Sequence, residues 1–331
     1  MRDGMDGSMG GVTDKVGHWS HTMLDLPDGT RLRLSRWQPP VAPAPGAPAM
    51  LVLPGRAAQV ERYSELAVDL TARGMHVLSM DWRGQGGSSR LLPDPMVGHA
   101  VDFDLYLDDL DAALAHWQGQ VTGPFLALGH SMGGHILLRY VAERPHPFAG
   151  VIACAPMLGI NTAPMPEWLA VRLARTAVKG GQAALYAPLQ GPRWARAPLP
   201  FRGNRLTTDP RRFALMQEVM ERDPSVALGG ASWGWLDGAF TSIRHFFEKD
   251  RLEDVQVPVL ILSARADRIV RADSHDLAAR RLPDCTLVPF AQGEHELLIE
   301  TDAVRDKVLA AIDSFLARKI GLATGQGNLK G

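Results

Sequence analysis

The chain has 331 residues, 46% of them hydrophobic and 21% charged, with a formal net charge of -1. This length exceeds one average domain but suits a single α/β core carrying an insertion, and the apolar fraction is enough for a full core, which excludes disorder for most of the chain. A near-neutral charge lacks the basic face that nucleic acid requires, so nucleic-acid binding is excluded.

Residues 1–17 are rich in Gly, Asp and Met and lack the apolar core of a secretory signal, so they read as a flexible N-terminal tail. No stretch approaches the roughly 18 apolar residues needed to span a bilayer. The expected location is cytoplasmic, with any membrane contact peripheral and at the inner face.

Two short alternating runs, 21–26 and 31–37, flank Asp28-Gly29, a dipeptide suited to a tight hairpin turn. The Pro/Ala stretch 39–48 then reads as a loop, because proline cannot donate to a sheet. From residue 50 onward, apolar runs alternate with helical patterns: strand 51–53 and helix 61–73, strand 76–80 and helix 103–117, strand 124–128 and helix 132–142, then strand 150–155. Continuous apolar strands separated by helices imply a mostly parallel sheet covered on both faces. The rhythm breaks between about 156 and 254 and resumes with strand 257–263, a helix near 274–281, strand 285–289 and an amphipathic helix over 301–319. The expected organisation is therefore a core of residues 18–156 and 255–319, a cap insertion at 157–254 that roofs the site, and a flexible C-terminal tail at 320–331.

The run Gly129-His130-Ser131-Met132-Gly133 follows an apolar strand and precedes a helical run. This is the G-x-S-x-G turn that exposes a serine hydroxyl above a sheet, with glycines letting neighbouring backbone approach. A serine is a weak nucleophile unless a base takes its proton, and the base needs a carboxylate to orient it. The fold's chain order of Ser, Asp, His selects Asp267, just past strand 257–263, and His295, in the loop after strand 285–289. Among the 11 histidines, His130 is expected to point away from the serine and His275 to lie on a helix surface. Asp273 and Asp284 read as a helix N-cap and a turn residue. The backbone N–H groups of Met132 and of Arg56, in the loop after strand 51–53, are the expected oxyanion donors. The Arg56 side chain is either solvated or a contact for a phosphate or ester oxygen. Asp81-Trp82-Arg83-Gly84-Gln85-Gly86 lacks the Lys-Ser/Thr of a phosphate loop and reads as a structural turn braced by an Asp-Arg pair. Cys154 and Cys285 sit in apolar runs as inert core thiols and imply neither disulfide nor zinc; no cofactor and no metal are expected.

Leu53-Pro54-Gly55-Arg56, Arg62-Tyr63, Asp81-Trp82-Arg83-Gly84-Gln85-Gly86 and Gly129-His130-Ser131-Met132-Gly133-Gly134 resemble the monoglyceride lipase and lysophospholipase group of α/β hydrolases. Ser89-Arg90-Leu91-Leu92-Pro93-Asp94-Pro95, Gly98-His99 and Asn204-Arg205-Leu206-Thr207 look like its bacterial lysophospholipase branch. The resemblance implies an α/β-hydrolase fold that hydrolyses a single-chain acyl ester, a small lipid substrate, with Ser131, Asp267 and His295 as triad and Arg56 and Met132 as oxyanion donors. Monoglyceride lipases carry His-Gly where this chain has Pro54-Gly55, which tilts the expectation toward lysophospholipids over monoacylglycerols and small esters. In the cap, Arg172, Arg175, Lys179, Arg193, Arg196, Arg202, Arg205, Arg211 and Arg212 are interleaved with Trp168, Trp194, Trp233 and Trp235, a composition suited either to peripheral contact with a lipid surface or to a solvated face over a tryptophan core. An aminopeptidase would need acidic residues for the substrate amine, and a non-catalytic binding protein would be expected to have lost a triad member. Oligomeric state is not legible.

Overall fold

The computed structural model describes residues 16–192, 199–248 and 251–322. Strands β1 (His18–Asp25) and β2 (Arg31–Gln38) pair antiparallel with Asp25 opposite Arg31. Gly29 takes a φ of 84° in the turn between them, and Asp28 Oδ1 accepts the Thr30 N–H at 2.9 Å. Strands β3 (Ala49–Leu53), β4 (His76–Met80), β5 (Phe125–His130), β6 (Phe148–Cys154), β7 (Val259–Ala264) and β8 (Cys285–Phe290) complete an eight-stranded sheet. The spatial order is β1-β2-β4-β3-β5-β6-β7-β8, parallel from β4 to β8, with β2 antiparallel to β4. Chain direction across the sheet reverses at β3, with β4 on one side and β5 on the other. Such a switch point opens a crevice at the strands' carboxyl ends.

The central strands β3 to β7 are buried on both faces. Ala49, Leu51 and Leu53 join one apolar cluster with α2 (Asp104–Trp117), α3 (Met132–Glu143) and α7 (Ala272–Arg281), whereas Met50 and Val52 join another with α1 (Ser64–Ala72) and α8 (Asp302–Phe315). This is why the strands read as unbroken apolar runs. Each Leu, Met or Val among them, fully buried, contributes on the order of 1.5–3 kcal/mol of transfer free energy. Ile320 and Leu322, expected in the C-terminal tail, pack against the second cluster instead, because a π-helical turn at Leu316–Ile320 carries α8 onward. Residues 1–15 and 323–331 of the expected tails lie outside the described residues.

Residues 157–254 hold three helices that the strand and helix alternation left unseen: α4 (Glu167–Lys179), α5 (Pro210–Arg222) and α6 (Trp233–Phe246). Asp209 caps α5 by accepting the Arg212 N–H with Pro210 at the first turn, and Ser232 caps α6 by accepting the Trp235 N–H. Backbone hydrogen bonds join this segment to the core, from Gly98 N–H to Gly230 O (3.0 Å) and from Ser232 N–H to Gly98 O (2.8 Å). Arg212 is buried and donates to Glu65, Asp209, Asp302 and the Glu300 carbonyl. It therefore clamps α5 to the core and faces no lipid. Among the described residues no helix is long and apolar enough to cross a membrane.

The turn after β4 is structural, but its ion pairs are not the expected one. Asp81 is fully buried and takes the Arg33 Nε–H at 2.5 Å together with the N–H groups of Val60 and Gly87; Arg83 pairs with Asp109 and Asp28. Removing one partner of a buried pair strands a charge and costs roughly 3–5 kcal/mol.

Candidate active site

Ser131 stands between β5 and α3 with φ 51° and ψ -115°, a conformation that side chains rarely adopt. Flanking glycines make the turn feasible. A β-carbon on Gly133 would lie 2.3 Å from the Leu53 carbonyl oxygen, and one on Gly129 would lie 2.5 Å from the Gly133 carbonyl oxygen. Both obstacles are backbone, so neither can rotate away. Gly133→Ala is expected to destabilise the protein by about 1–3 kcal/mol or more, as overpacking does. A lowered urea midpoint is the readout; an unchanged midpoint would mean that the Leu53-Pro54 segment yields.

Three of the expected residues lie together. Ser131 Oγ is 2.9 Å from His295 Nε2, and His295 Nδ1 is 2.6 Å from Asp267 Oδ2. The carboxylate takes the Nδ1–H, which leaves Nε2 as acceptor for the serine hydroxyl. Asp267 Oδ1 accepts the N–H groups of Ile269 (2.7 Å) and Val270 (3.0 Å), which fixes the carboxylate past the end of β7. Burial alone would raise the Asp267 pKa, but the His295 charge and these donors hold it below the ordinary value. Burial alone would lower that of His295, but the Asp267 carboxylate outweighs it and the net direction is upward. The arrangement can take a proton from a hydroxyl and stabilise the imidazolium that results.

Two N–H groups in the segments beside Ser131 have no acceptor among the described residues, those of Met132 at the start of α3 and of Arg56, next to Gly55, where a β-carbon would lie 3.2 Å from that of Ser131. The neighbours of Arg56 are satisfied: Gly55 N–H donates to Tyr63 Oη at 3.2 Å and Ala57 N–H to Gln85 Oε1 at 2.8 Å. Gln85 also donates to the Met132 sulfur at 3.6 Å, so one side chain holds both segments that carry the free donors. A further circuit ties the Arg56 loop to the His295 loop. Arg62 donates to the Ala57 carbonyl and to Glu296 Oε1; His130 Nε2–H donates to the His295 carbonyl; and Tyr63 Oη lies 3.4 Å from His130 Nδ1. Burial disfavours the charged form of His130, whose pKa is lowered.

Several expectations need correction. His130 is not idle beside the serine: its ring packs 4.9 Å from that of His295 and supports its backbone. His275 is fully buried: it takes a hydrogen bond from Ser263 Oγ and donates to the Pro156 carbonyl, bracing the strand ends beneath the site. Asp273 is not the N-cap of α7; Arg271 occupies that position and Asp273 pairs with it. Cys154 is buried, whereas Cys285 is only partly so; burial raises both thiols, Cys285 to about 12, and neither is a ready thiolate. Arg56 is not solvated: its Nη2–H donates to the Gly229 carbonyl at 2.7 Å and its guanidinium lies 5.1 Å from the centre of the Trp235 ring. Trp235 is buried and Trp168 exposed; Arg193, Trp194 and Arg196 lie outside the described residues. Among the described residues no group of three or more His, Cys, Asp or Glu side chains converges to hold a metal.

The model of a hydrolase family described as serine aminopeptidase, S33, matches residues 45–302. The chain belongs to this family. It is 32% identical over 280 residues to lysophospholipase L2 of Escherichia coli (strain K12), covering 81% of this chain and 80% of that one. It is 33% identical over 145 residues to human monoglyceride lipase, covering 41% and 45%. In structure it resembles a soluble variant of monoglyceride lipase from Saccharomyces cerevisiae solved in complex with a substrate analog, with a TM-score of 0.69 and 20% identity over 92% of this chain and 97% of that one. That likeness establishes the α/β-hydrolase fold.

Proposed function

We propose that this hydrolase is a lysophospholipase, a serine esterase that releases a free fatty acid from a single-chain phospholipid. The observation that carries the reading is the Ser131, His295 and Asp267 relay set beside the two unused N–H groups of Met132 and Arg56. In this mechanism His295 takes the Ser131 proton, and Ser131 attacks the ester carbonyl while the two N–H groups hold the oxyanion. His295 then returns the proton to the departing alcohol, and water activated by the same imidazole hydrolyses the acyl serine. An aminopeptidase is disfavoured by charge. Asp267 is paired with His295 and Glu296 Oε1 with Arg62, so each carboxylate at the site already faces a cation of the protein. The sequence likeness to lysophospholipase L2 over most of both chains supports the lipid class, and the shorter match to monoglyceride lipase makes monoacylglycerol the competing substrate.

We further propose that residues 157–254 act as a cap and that its α4 face meets lipid. Helix α4 buries only Ala174 and leaves Trp168 67% exposed, near exposed Leu173, Arg172 and Lys179. An exposed indole among cations suits the headgroup level of a membrane. The deciding experiment measures fatty acid release from lysophosphatidylethanolamine and from a monoacylglycerol of the same chain. A higher kcat/KM on the phospholipid is expected; the reverse order would make the protein a monoacylglycerol lipase.

A further inference from the structure

We infer that the Arg56 guanidinium is a receptor for a phosphate group, set beside the ester-cleaving serine so that the enzyme reads the phosphate of its substrate's headgroup. This rests on the lysophospholipase reading and adds the element that would separate a phospholipid from a neutral glyceride.

Arg56 is one residue past Gly55, where a β-carbon would lie only 3.2 Å from that of Ser131, so its loop lines the reacting centre. Its side chain runs toward residues 229–235. The nearest backbone has no side chain to obstruct it, since a β-carbon on Gly98 would sit 2.2 Å from Nη2. Among the described residues no carboxylate lies within ion-pairing distance of this guanidinium, although Arg33, Arg62, Arg83 and Arg212 each have one. Its partners are a neutral carbonyl, that of Gly229, and the face of Trp235. Nε is buried with no acceptor, and so are Trp235 Nε1 and the Tyr186 hydroxyl, which lies close enough to Arg56 for each to perturb the other. The Asp94 carboxylate acts on Tyr186 and makes no ion pair with Arg56. Desolvation lowers the Arg56 pKa to about 10, which leaves it cationic at neutral pH.

A half-buried cation held without an anion is costly, and unmatched buried donors such as its Nε–H normally have an explanation. The unmatched Nε–H of Arg56, with unmatched donors also on its neighbours Trp235 and Tyr186, fits a group with several acceptor oxygens and negative charge. Guanidinium geometry suits phosphate oxygens, which can take two N–H groups at once. A monoacylglycerol offers only neutral hydroxyls at that end of the molecule.

The test compares kcat/KM for lysophosphatidylethanolamine and for a monoacylglycerol of the same chain in wild type, Arg56→Gln and Arg56→Lys. The ratio of the two cancels any loss common to both substrates, including one from a loosened loop. Arg56→Gln is expected to lower the ratio about 10- to 100-fold, the worth of a charge-assisted bond pair, with part of it kept in Arg56→Lys. A ratio within twofold of wild type in a folded Arg56→Gln protein overturns the inference. A second arm measures inhibition of p-nitrophenyl butyrate hydrolysis by glycerophosphoethanolamine and by inorganic phosphate. Inhibition by the former that is weakened in Arg56→Gln assigns the receptor to the headgroup; inhibition by inorganic phosphate alone, or inhibition equal in both proteins, counts against it. Should wild type prefer the glyceride, the lysophospholipase reading fails, while this second arm still decides whether Arg56 receives phosphate.

Discussion

Ser131→Ala is expected to lower ester turnover by about three to six orders of magnitude while the protein keeps its fold. The range follows from how such relays behave: loss of the nucleophile alone removes nearly all that the triad supplies, and what persists comes from the oxyanion donors and from binding. Alanine keeps a β-carbon at a backbone φ of 51°, so the strain of the turn is common to both proteins and the comparison isolates the hydroxyl. Fatty acid release and the thermal midpoint should be read on the same preparation. Wild-type turnover in the variant would mean that another group attacks the ester, and the relay described above would have to be abandoned.

Asp267→Asn should reduce kcat by about 10⁴. An amide can accept from Nδ1–H as the carboxylate does, but it can also rotate to present its NH₂, which favours the tautomer with Nε2 protonated and unable to accept the serine proton. The change has a second signature. The carboxylate is what lifts the His295 pKa against the opposing effect of burial. Without it, burial prevails and the imidazole stays neutral to lower pH. In wild type, kcat/KM should fall as pH drops through a value above that of an ordinary histidine; in Asp267→Asn this acid limb should move down. An acid limb unmoved by the substitution would show that another group controls protonation of the base.

The parts of this site that were legible in the sequence are those with a local cause. The Gly129 to Gly133 spacing announces a turn because glycine is what such a turn requires, and Asp267 and His295 follow from their positions just past apolar strands. The described geometry brings all three within hydrogen-bonding distance. Residues whose partners are distant in the chain were misread. His275 carries the signature of a helix, and only the packing of α7 on the sheet turns it inward toward Ser263 and Pro156. His130 gives no sign that its ring will support a carbonyl 165 residues away. The helices of residues 157–254 escaped a search for alternating strands and helices, although Asp209-Pro210 and Ser232 offered good starting signals for two of them. Gln85 falls in a turn whose sequence reads as structural, yet nothing in that turn announces its bond to Ala57.

The 164 residues that separate Ser131 from His295 also order events in time. At about 5–20 residues per second, a ribosome delivers the nucleophile roughly 10–30 s before its base. Through that interval the β3, β4 and β5 half of the sheet can form, but the serine has no partner to activate it. A nascent chain emerging among lipids is therefore harmless to them, and esterolytic competence arrives only when the last strand and its loop dock.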